Sequence, residues 1–226
     1  MRLILIRHGQ TPSNVADLLD TGEPGADLTE LGRKQAAAVP RSLVDEDIDV
    51  VYASTLVRTQ QTAEPLLAQR DAEFRVHEGL REISAGEFEM RGDHEAIRAY
   101  LGTIFGWADD PTLTVPGGES GEEVWDRYDQ VFAEAAADGV RTAVMFTHGA
   151  IMRSWSAARA ANISGEYATH NPISNTGAIV LEGSVDQGWW AHYWENLALG
   201  GDRVSAPAGD GPAGREAPED AVEGKA

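Results

Sequence analysis

The segment Leu3-Ile4-Leu5-Ile6-Arg7-His8-Gly9 opens the chain with a short apolar run that leads directly into two basic side chains and a glycine. Four consecutive aliphatic residues bounded by charge are typical of a strand that is buried on both faces of a sheet. Such a strand holds Arg7 and His8 at its C-terminal end, where Gly9 lets the backbone turn. An imidazole fixed beside a guanidinium suits an anion, although this tripeptide alone fits an ordinary strand-end turn better.

The composition indicates an acidic globular chain. Of its 226 residues 42% are hydrophobic, and 18 Lys and Arg against 37 Asp and Glu give a net charge of -19 at pH 7. Because this charge repels nucleic-acid backbones and anionic lipids, we expect neither a nucleic acid nor a membrane as a partner. The chain has no cysteine, which excludes disulfides, thiol nucleophiles and thiolate metal sites.

Apolar strand patterns alternate with helical patterns along most of the chain. Strands are predicted at Leu3–Ile6, Ile48–Ala53, Phe74–His77 and Thr142–Thr147, followed by an edge hairpin of Ala178–Leu181 and Trp189–Trp194. Helices are predicted after Thr29, from near Leu56, from Ser120 and over Ala150–Ala160, with a kink or an end near Val39 because of Pro40. The alternation predicts an α/β fold, a three-layer sandwich whose mostly parallel central sheet carries helices on both faces.

We divide the chain into one domain over residues 1–200 and a tail over residues 201–226. From Gly200 onward large apolar residues nearly vanish, while Gly, Pro, Ala and acidic residues dominate. Such a composition cannot bury enough apolar surface to offset the entropy lost on ordering. The sequence therefore predicts a disordered acidic tail rich in Ala, Gly and Pro.

Basic side chains follow three of the predicted strands. Arg7 and His8 follow the first strand, Arg58 follows the second, and His148 follows Thr142–Thr147. In open α/β sheets ligands bind in the crevice beyond the carboxyl ends of the strands. Each residue by itself fits an ordinary surface or core position better, but the four together predict one anion site.

Six motifs follow one another in order: Arg7-His8-Gly9-x-Thr11-x-x-Asn14, Leu28-Thr29-x-x-Gly32-x-x-Gln35-Ala36, Ala53-Ser54-x-x-x-Arg58-Thr59-x-Gln61-Thr62-Ala63, Leu80-Arg81-Glu82-x-x-x-Gly86, Gly117-Gly118-Glu119-Ser120 and Thr147-His148-Gly149. Together they resemble the histidine phosphatase superfamily, the phosphoglycerate mutase-like family. The resemblance runs from Arg2 to about Leu181 and leaves the tail outside. It departs at Met90, where many members carry a glycine after an aromatic residue and a glutamate.

The resemblance implies a metal-independent phosphomonoesterase, a phosphoric monoester hydrolase that acts on small phosphorylated metabolites through a phosphohistidine. His8 would be the nucleophile and Glu82 the general acid, which later activates the attacking water. The full set of expected catalytic residues is Arg7, His8, Arg58, Glu82 and His148. The groups expected to bind the substrate phosphate are Arg7, Asn14, Arg58, His148 and the backbone N–H of Gly149. Because side-chain cations neutralise the phosphate, no metal and no other cofactor is expected.

Two other functions stay open. A phosphoglycerate mutase would share the His8 chemistry but must also hold the carboxylate of its substrate. Between Ile83 and Pro116 the only Lys or Arg residues are Arg91 and Arg98, which favours hydrolysis over the mutase. A non-catalytic binder of phosphorylated ligands is the third reading, and such a protein would be expected to lose the nucleophile or the acid.

A small phosphorylated substrate is the partner that the resemblance implies. The apolar segment Trp189–Trp194 lies near a predicted sheet edge and fits either a homodimer interface or packing inside the core. We expect the protein in the cytoplasm, because the N-terminus carries no export signal and no apolar run reaches membrane-spanning length.

Overall fold

A six-stranded sheet forms the centre of the molecule, which a computed structural model describes over residues 1–216. Its strands are β1 (Arg2–Arg7), β2 (Val50–Ala53), β3 (Glu73–Val76), β4 (Thr142–Thr147), β5 (Ala178–Ser184) and β6 (Gly188–Glu195). The strands lie in the order β3-β2-β4-β1-β5-β6. The first four of that order are parallel, whereas β5 is antiparallel to both of its neighbours. The predicted mostly parallel sheet and the predicted edge hairpin are confirmed.

Seven α-helices within residues 1–216 connect and cover the strands. They are α1 (Pro12–Val15), α2 (Glu30–Ser42), α3 (Val57–Leu67), α4 (His94–Gly106), α5 (Gly121–Ala137), α6 (Gly149–Arg159) and α7 (Gly165–His170). Short 3-10 helices span Glu78–Leu80, Gly86–Phe88, Gly201–Arg203, Pro207–Gly209 and Pro212–Gly214. None of the described helices is long and apolar enough to cross a membrane.

Side-chain caps begin two of these helices as predicted. The hydroxyl of Thr29 accepts the amide of Gly32 at the start of α2, and Ser120 begins α5. Helix α2 does not end near Val39 but continues past Pro40 to its last residue, Ser42. A proline in the last turn removes a single helical hydrogen bond, so the helix tolerates it.

The alternating side chains of β1 divide the core into two layers. Leu3 and Leu5 belong to the apolar cluster that includes Tyr128 of α5 and Trp155 of α6. Their neighbours Ile4 and Ile6 belong to the opposite cluster, which includes Val39 of α2 and Leu66 of α3. Because successive side chains of a strand point to opposite faces, β1 contributes to both layers. The predicted three-layer sandwich is confirmed.

The edge strand β6 buries only part of its apolar surface. Trp189 is buried in the core, whereas Trp190 and Tyr193 are about half exposed. Packing inside the core thus holds for Trp189. The homodimer stays a prediction.

Residues 201–216 differ from the predicted disordered tail. They form three short 3-10 helices that reach the exit of β1, and Asp210, Pro212 and Gly214 are buried there. Carbonyl oxygens of this segment accept hydrogen bonds from Arg7 and Arg153. The sequence prediction counted apolar surface and left out these backbone acceptors. The predicted disorder of residues 217–226 lies outside the described residues.

Candidate active site

Side chains that follow the adjacent strands β2, β4 and β1 meet at one edge of the sheet. The backbone N–H of His8 donates to the carbonyl of Thr147 at 3.0 Å, and the rings of His8 and His148 are 5.2 Å apart. Arg58 lies in the first turn of α3 and lines the same cavity as His8. All the residues predicted for the site are brought together here: Arg7, His8, Asn14, Arg58, Glu82, His148 and Gly149.

Gly9 is required by the close approach of helix α2. A Cβ atom at Gly9 would lie 2.7 Å from the carbonyl oxygen of Gly32, closer than real Cβ contacts. The Gly9 amide donates to the hydroxyl of Thr62 on α3 at 3.0 Å. The turn after β1 is therefore held by two helices, which fixes the direction of the preceding His8.

The hydrogen bonds of His8 select its tautomer. Its Nδ1 lies 2.8 Å from the carbonyl oxygen of Gly9. A carbonyl only accepts, so Nδ1 carries the proton and Nε2 keeps a free lone pair. Burial lowers the pKa of His8 well below its usual range, and the charges of Arg58 and Arg7 lower the pKa further. His8 is thus a neutral imidazole with Nε2 available as a nucleophile.

A chain of hydroxyl groups orients His148. Its Nε2 lies 2.8 Å from Ser54 Oγ, which in turn lies 3.0 Å from Thr59 Oγ1. The Thr59 hydroxyl gives its one proton to a carbonyl acceptor at 2.8 or 3.0 Å, so Ser54 donates to Thr59 Oγ1 and accepts the Nε2 proton of His148. Nδ1 of His148 then keeps a lone pair, and among the described residues it has no partner. Burial, followed by the charge of Arg58, lowers the pKa of His148 well below its usual range.

The two arginines also hold unused donors. Arg7 Nη1 donates to the carbonyl of Ile173 at 2.7 Å, and Arg58 Nη2 donates to the carbonyl of Asp20 at 2.8 Å. Within residues 1–216, Arg7 Nε and both Nε and Nη1 of Arg58 have no hydrogen-bond partner. A buried donor without a partner costs about 1–3 kcal/mol. An oxyanion placed between the two arginines would satisfy these donors together.

The carboxylate of Glu82 accepts hydrogen bonds from the start of helix α6. Oε1 accepts the amides of Ile83 and Ile151 at 3.1 and 2.9 Å, and Oε2 accepts the amide of Ala150 at 3.1 Å. A carboxylate has about four lone-pair positions, so about one position stays open for a proton. Glu82 borders the His8 cavity and is therefore held where a proton can be passed to a bound ligand.

A larger groove extends from Glu82 toward solvent. Its volume is about 690 Å³, and it shares Thr21 and Glu82 with the His8 cavity. The other carboxylates that line it belong to Glu23, Glu87, Glu89 and Glu119. Its one basic lining residue, Arg81, lies 3.7 Å from a carboxylate oxygen of Glu23. In the part of the chain that the structure describes, no group of three or more His, Asp or Glu could hold a metal ion.

Sequence reasoning missed several residues of this site. Tyr100 lines the His8 cavity and donates its hydroxyl to the carbonyl of Ile83 at 2.7 Å, a contact that no local pattern indicates. Ser54 lies within a recognised motif, but its contact with His148 joins residues 94 positions apart. Nothing in the composition of the tail points to Asp210.

Acidification is expected to destabilise the fold through the two buried histidines. His8 and His148 have folded pKa values well below 6.5, so each binds a proton only on unfolding once the pH falls below about 6.5. Stabilisation present at pH 7 is therefore lost as the pH falls, by about 1 kcal/mol per histidine between pH 6 and 5. In urea unfolding of His148→Gln, the free energy of unfolding should fall between pH 6 and 5 by about 1 kcal/mol less than in the unchanged protein.

The exposed His170 supplies the matched control for this measurement. His170→Gln should keep the pH dependence of the unchanged protein. An equally steep dependence in His148→Gln would contradict the neutral, buried state of His148.

Known proteins resemble this chain over most of its length. The family description "Histidine phosphatase superfamily (branch 1)" matches residues 3–196. The PE-PGRS family protein PE_PGRS11 of Mycobacterium tuberculosis is 32% identical over 212 residues, which cover 86% of this chain. The chain spans only 36% of the length of that relative.

Two further likenesses involve proteins named for one reaction. The glucosyl-3-phosphoglycerate phosphatase of Mycolicibacterium vanbaalenii is 30% identical over 165 residues, covering 70% of this chain and 73% of that protein. The solved structure of a mycobacterial glucosyl-3-phosphoglycerate phosphatase in complex with VO3 is 29% identical, with a TM-score of 0.71. That likeness covers 86% of this chain and 98% of the other.

Proposed function

The chain belongs to the histidine phosphatase superfamily (branch 1), and from this premise we propose that it hydrolyses small phosphomonoesters through a phosphohistidine on His8. One observation carries the proposal: the free lone pair of His8 Nε2 lies in a cavity that Arg7 and Arg58 also line with unused guanidinium donors. A nucleophile beside preorganised oxyanion donors is the arrangement that phosphoryl transfer requires. The likeness to a phosphatase bound to VO3 supports the same reading.

The proposed first step transfers the phosphoryl group to the enzyme. Arg7, Arg58 and His148 bind the phosphoryl oxygens, assisted by Asn14 and the backbone N–H of Gly149. His8 Nε2 attacks phosphorus in line, so that the new P–N bond forms as the ester P–O bond breaks. Glu82 gives its proton to the leaving alkoxide oxygen, which departs as an alcohol.

In the proposed second step Glu82, now ionised, takes a proton from water. The resulting hydroxide attacks the phosphohistidine and releases inorganic phosphate, which restores neutral His8. The open lone-pair position of Glu82 serves both proton transfers. Backbone amides hold the other positions, so the carboxyl group keeps one orientation throughout.

The groove beyond Glu82 supports a substrate whose alcohol part carries no negative charge. Four carboxylates line it in addition to Glu82, and like charges at close range repel. A phosphoglycerate would bring its own carboxylate into this wall. This distribution of charge favours a sugar or polyol phosphate and disfavours the mutase reaction.

Ser54→Ala is expected to reduce kcat by about 30-fold, less than the loss of about 10²–10³ that follows removal of an oxyanion donor itself. The variant removes the hydroxyl that hydrogen-bonds to Nε2 of His148, so the imidazole ring is no longer held in one orientation toward the phosphate. Steady-state kinetics with an aryl phosphate measure the loss. Ser54→Thr keeps the hydroxyl and should recover most of the rate. Full activity in Ser54→Ala would contradict this role.

The experiment that tests the proposed function is phosphate release from a panel of sugar phosphates, phosphoglycerates, nucleotides and an aryl phosphate, with and without EDTA. We expect release that survives EDTA, with sugar phosphates preferred to phosphoglycerates. Interconversion of phosphoglycerate isomers with a bisphosphate primer would instead establish the mutase. Binding without either reaction would establish the non-catalytic binder.

A further inference from the structure

The C-terminal segment over residues 207–215 lies against the cavity of His8. The carbonyl oxygen of Asp210 accepts a hydrogen bond from Arg7 Nη2, and Asp210 Oδ1 accepts the amide of Asn175 at 3.1 Å. Pro212 and Ala213 line the cavity together with His8. The space that is left measures about 30 Å³, room for about one or two water molecules. The segment therefore helps to keep this cavity small.

A second arginine outside the proposed reaction also binds the segment. Arg153 of α6 is fully buried, and its Nη1 donates to the carbonyls of Ala213 and Arg215 at 3.1 and 3.0 Å. The side chain of Arg215 pairs with Asp17 at 2.9 Å. The segment is thus bound at its C-terminal end by interactions that the proposed reaction does not use.

The segment gives Arg7 the kind of partner that a phosphate would give it. The backbone oxygen of Asp210 takes one guanidinium donor, and its completely buried carboxylate adds a negative charge nearby. A phosphoryl group held side-on by a guanidinium uses Nε and Nη2 together, and the segment already holds Nη2. The segment and a phosphoester with two bonds to Arg7 therefore compete for the same donor.

Two glycines allow this close approach. A Cβ atom at Gly214 would overlap Arg7 Nη1 and Asp210 Cβ, and one at Gly211 would lie 2.9 Å from Asn14 Nδ2. The family match ends at residue 196. The docked segment thus lies beyond the part of the chain that matches the family.

We propose that residues 207–215 are an autoinhibitory segment that competes with phosphate for Arg7 and must leave the cavity before a phosphoester can bind. This inference rests on the proposed function, which assigns Arg7 to the phosphate. Competition is reciprocal: bound phosphate should shift the equilibrium toward the released segment by the same factor by which release of the segment raises the affinity for phosphate.

The test uses the full chain and orthovanadate as the probe. Gly211→Ala and Gly214→Ala should each bind orthovanadate about tenfold more tightly, because they raise the fraction of molecules with an open cavity. Gly201→Ala is the matched control: Gly201 and Gly211 share a φ of 72°, but a Cβ atom at Gly201 would meet nothing within 4 Å. The control should bind orthovanadate like the unchanged protein.

Hydrogen exchange in the unchanged protein gives an independent readout that needs no variant. Inorganic phosphate should speed exchange of the amides of Gly214 and Arg215, which donate to carbonyls within the segment. Weaker or unchanged orthovanadate binding in both variants, or exchange that phosphate slows, would overturn the proposal. If orthovanadate binding and amide exchange respond as expected but no substrate is hydrolysed, this inference stands and the proposed function fails. If substrates are hydrolysed but binding and exchange do not respond, the proposed function stands and this inference fails.

Discussion

Replacing His8 by alanine is expected to lower kcat for every substrate by about five orders of magnitude. The variant removes the only group in the proposed reaction that forms a covalent bond to phosphorus. Tight binding of orthovanadate should persist, because Arg7 and Arg58 are held by hydrogen bonds that do not involve the His8 ring. Single-turnover phosphate release and a vanadate titration measure the two properties separately.

The control for this variant is His170→Ala. His170 is exposed, and its ring contacts the carbonyl of Glu166 in α7, away from the His8 cavity. We expect the control to keep the full rate. If His8→Ala kept more than about a hundredth of the rate, the nucleophile would have to be another group.

Glu82→Gln is expected to slow release of the leaving group in a single turnover by about 10³ for an alkyl phosphate but by less than about tenfold for an aryl phosphate. An alkoxide leaves slowly without a proton, whereas a phenolate with electron-withdrawing substituents leaves without one. Glutamine keeps an oxygen that can accept the amides of Ile83 and Ile151, but its nitrogen cannot accept the amide of Ala150. Rates for a series of leaving groups of increasing pKa measure the effect.

Glu87→Gln is the matched control, since Glu87 is an exposed carboxylate of the same groove. It should leave the dependence on the leaving group unchanged. An equal loss for alkyl and aryl substrates in Glu82→Gln would mean that Glu82 acts through the start of α6 and not through proton transfer.

The sequence was sufficient for the parts of the molecule that depend on neighbouring residues. Strand β1 and the exit of β4 follow from short apolar runs, and Thr29 and Ser120 cap their helices through nearby amides. Parallel strands then bring their carboxyl ends to one edge, so the meeting of His8 with His148 required no further information. The prediction succeeded wherever local pattern and sheet topology together determine position.

Other features depend on contacts that no local pattern contains. Ser54 orients His148, and Glu82 accepts amides of α6 about 68 residues away. The docking of Asp210 uses a backbone carbonyl that any residue type provides, so composition could not reveal it. The sequence shows that Met90 stands where many members of the family carry a glycine. It does not show the backbone conformation of Met90, which has a φ of 59°, in the region that favours glycine.

The central claim is tested most directly by rapid quenching of the enzyme during turnover, followed by location of the phosphoryl group by tandem mass spectrometry and phosphorus NMR. The hydrogen bond from His8 Nδ1 to the Gly9 carbonyl leaves Nε2 as the nucleophile. The label should therefore appear on Nε2 of His8, reach a higher level when Glu82→Gln slows the second step for an aryl substrate, and be absent from His8→Ala. A label on Nδ1, a label on another residue, or turnover without any phosphoenzyme would contradict the account.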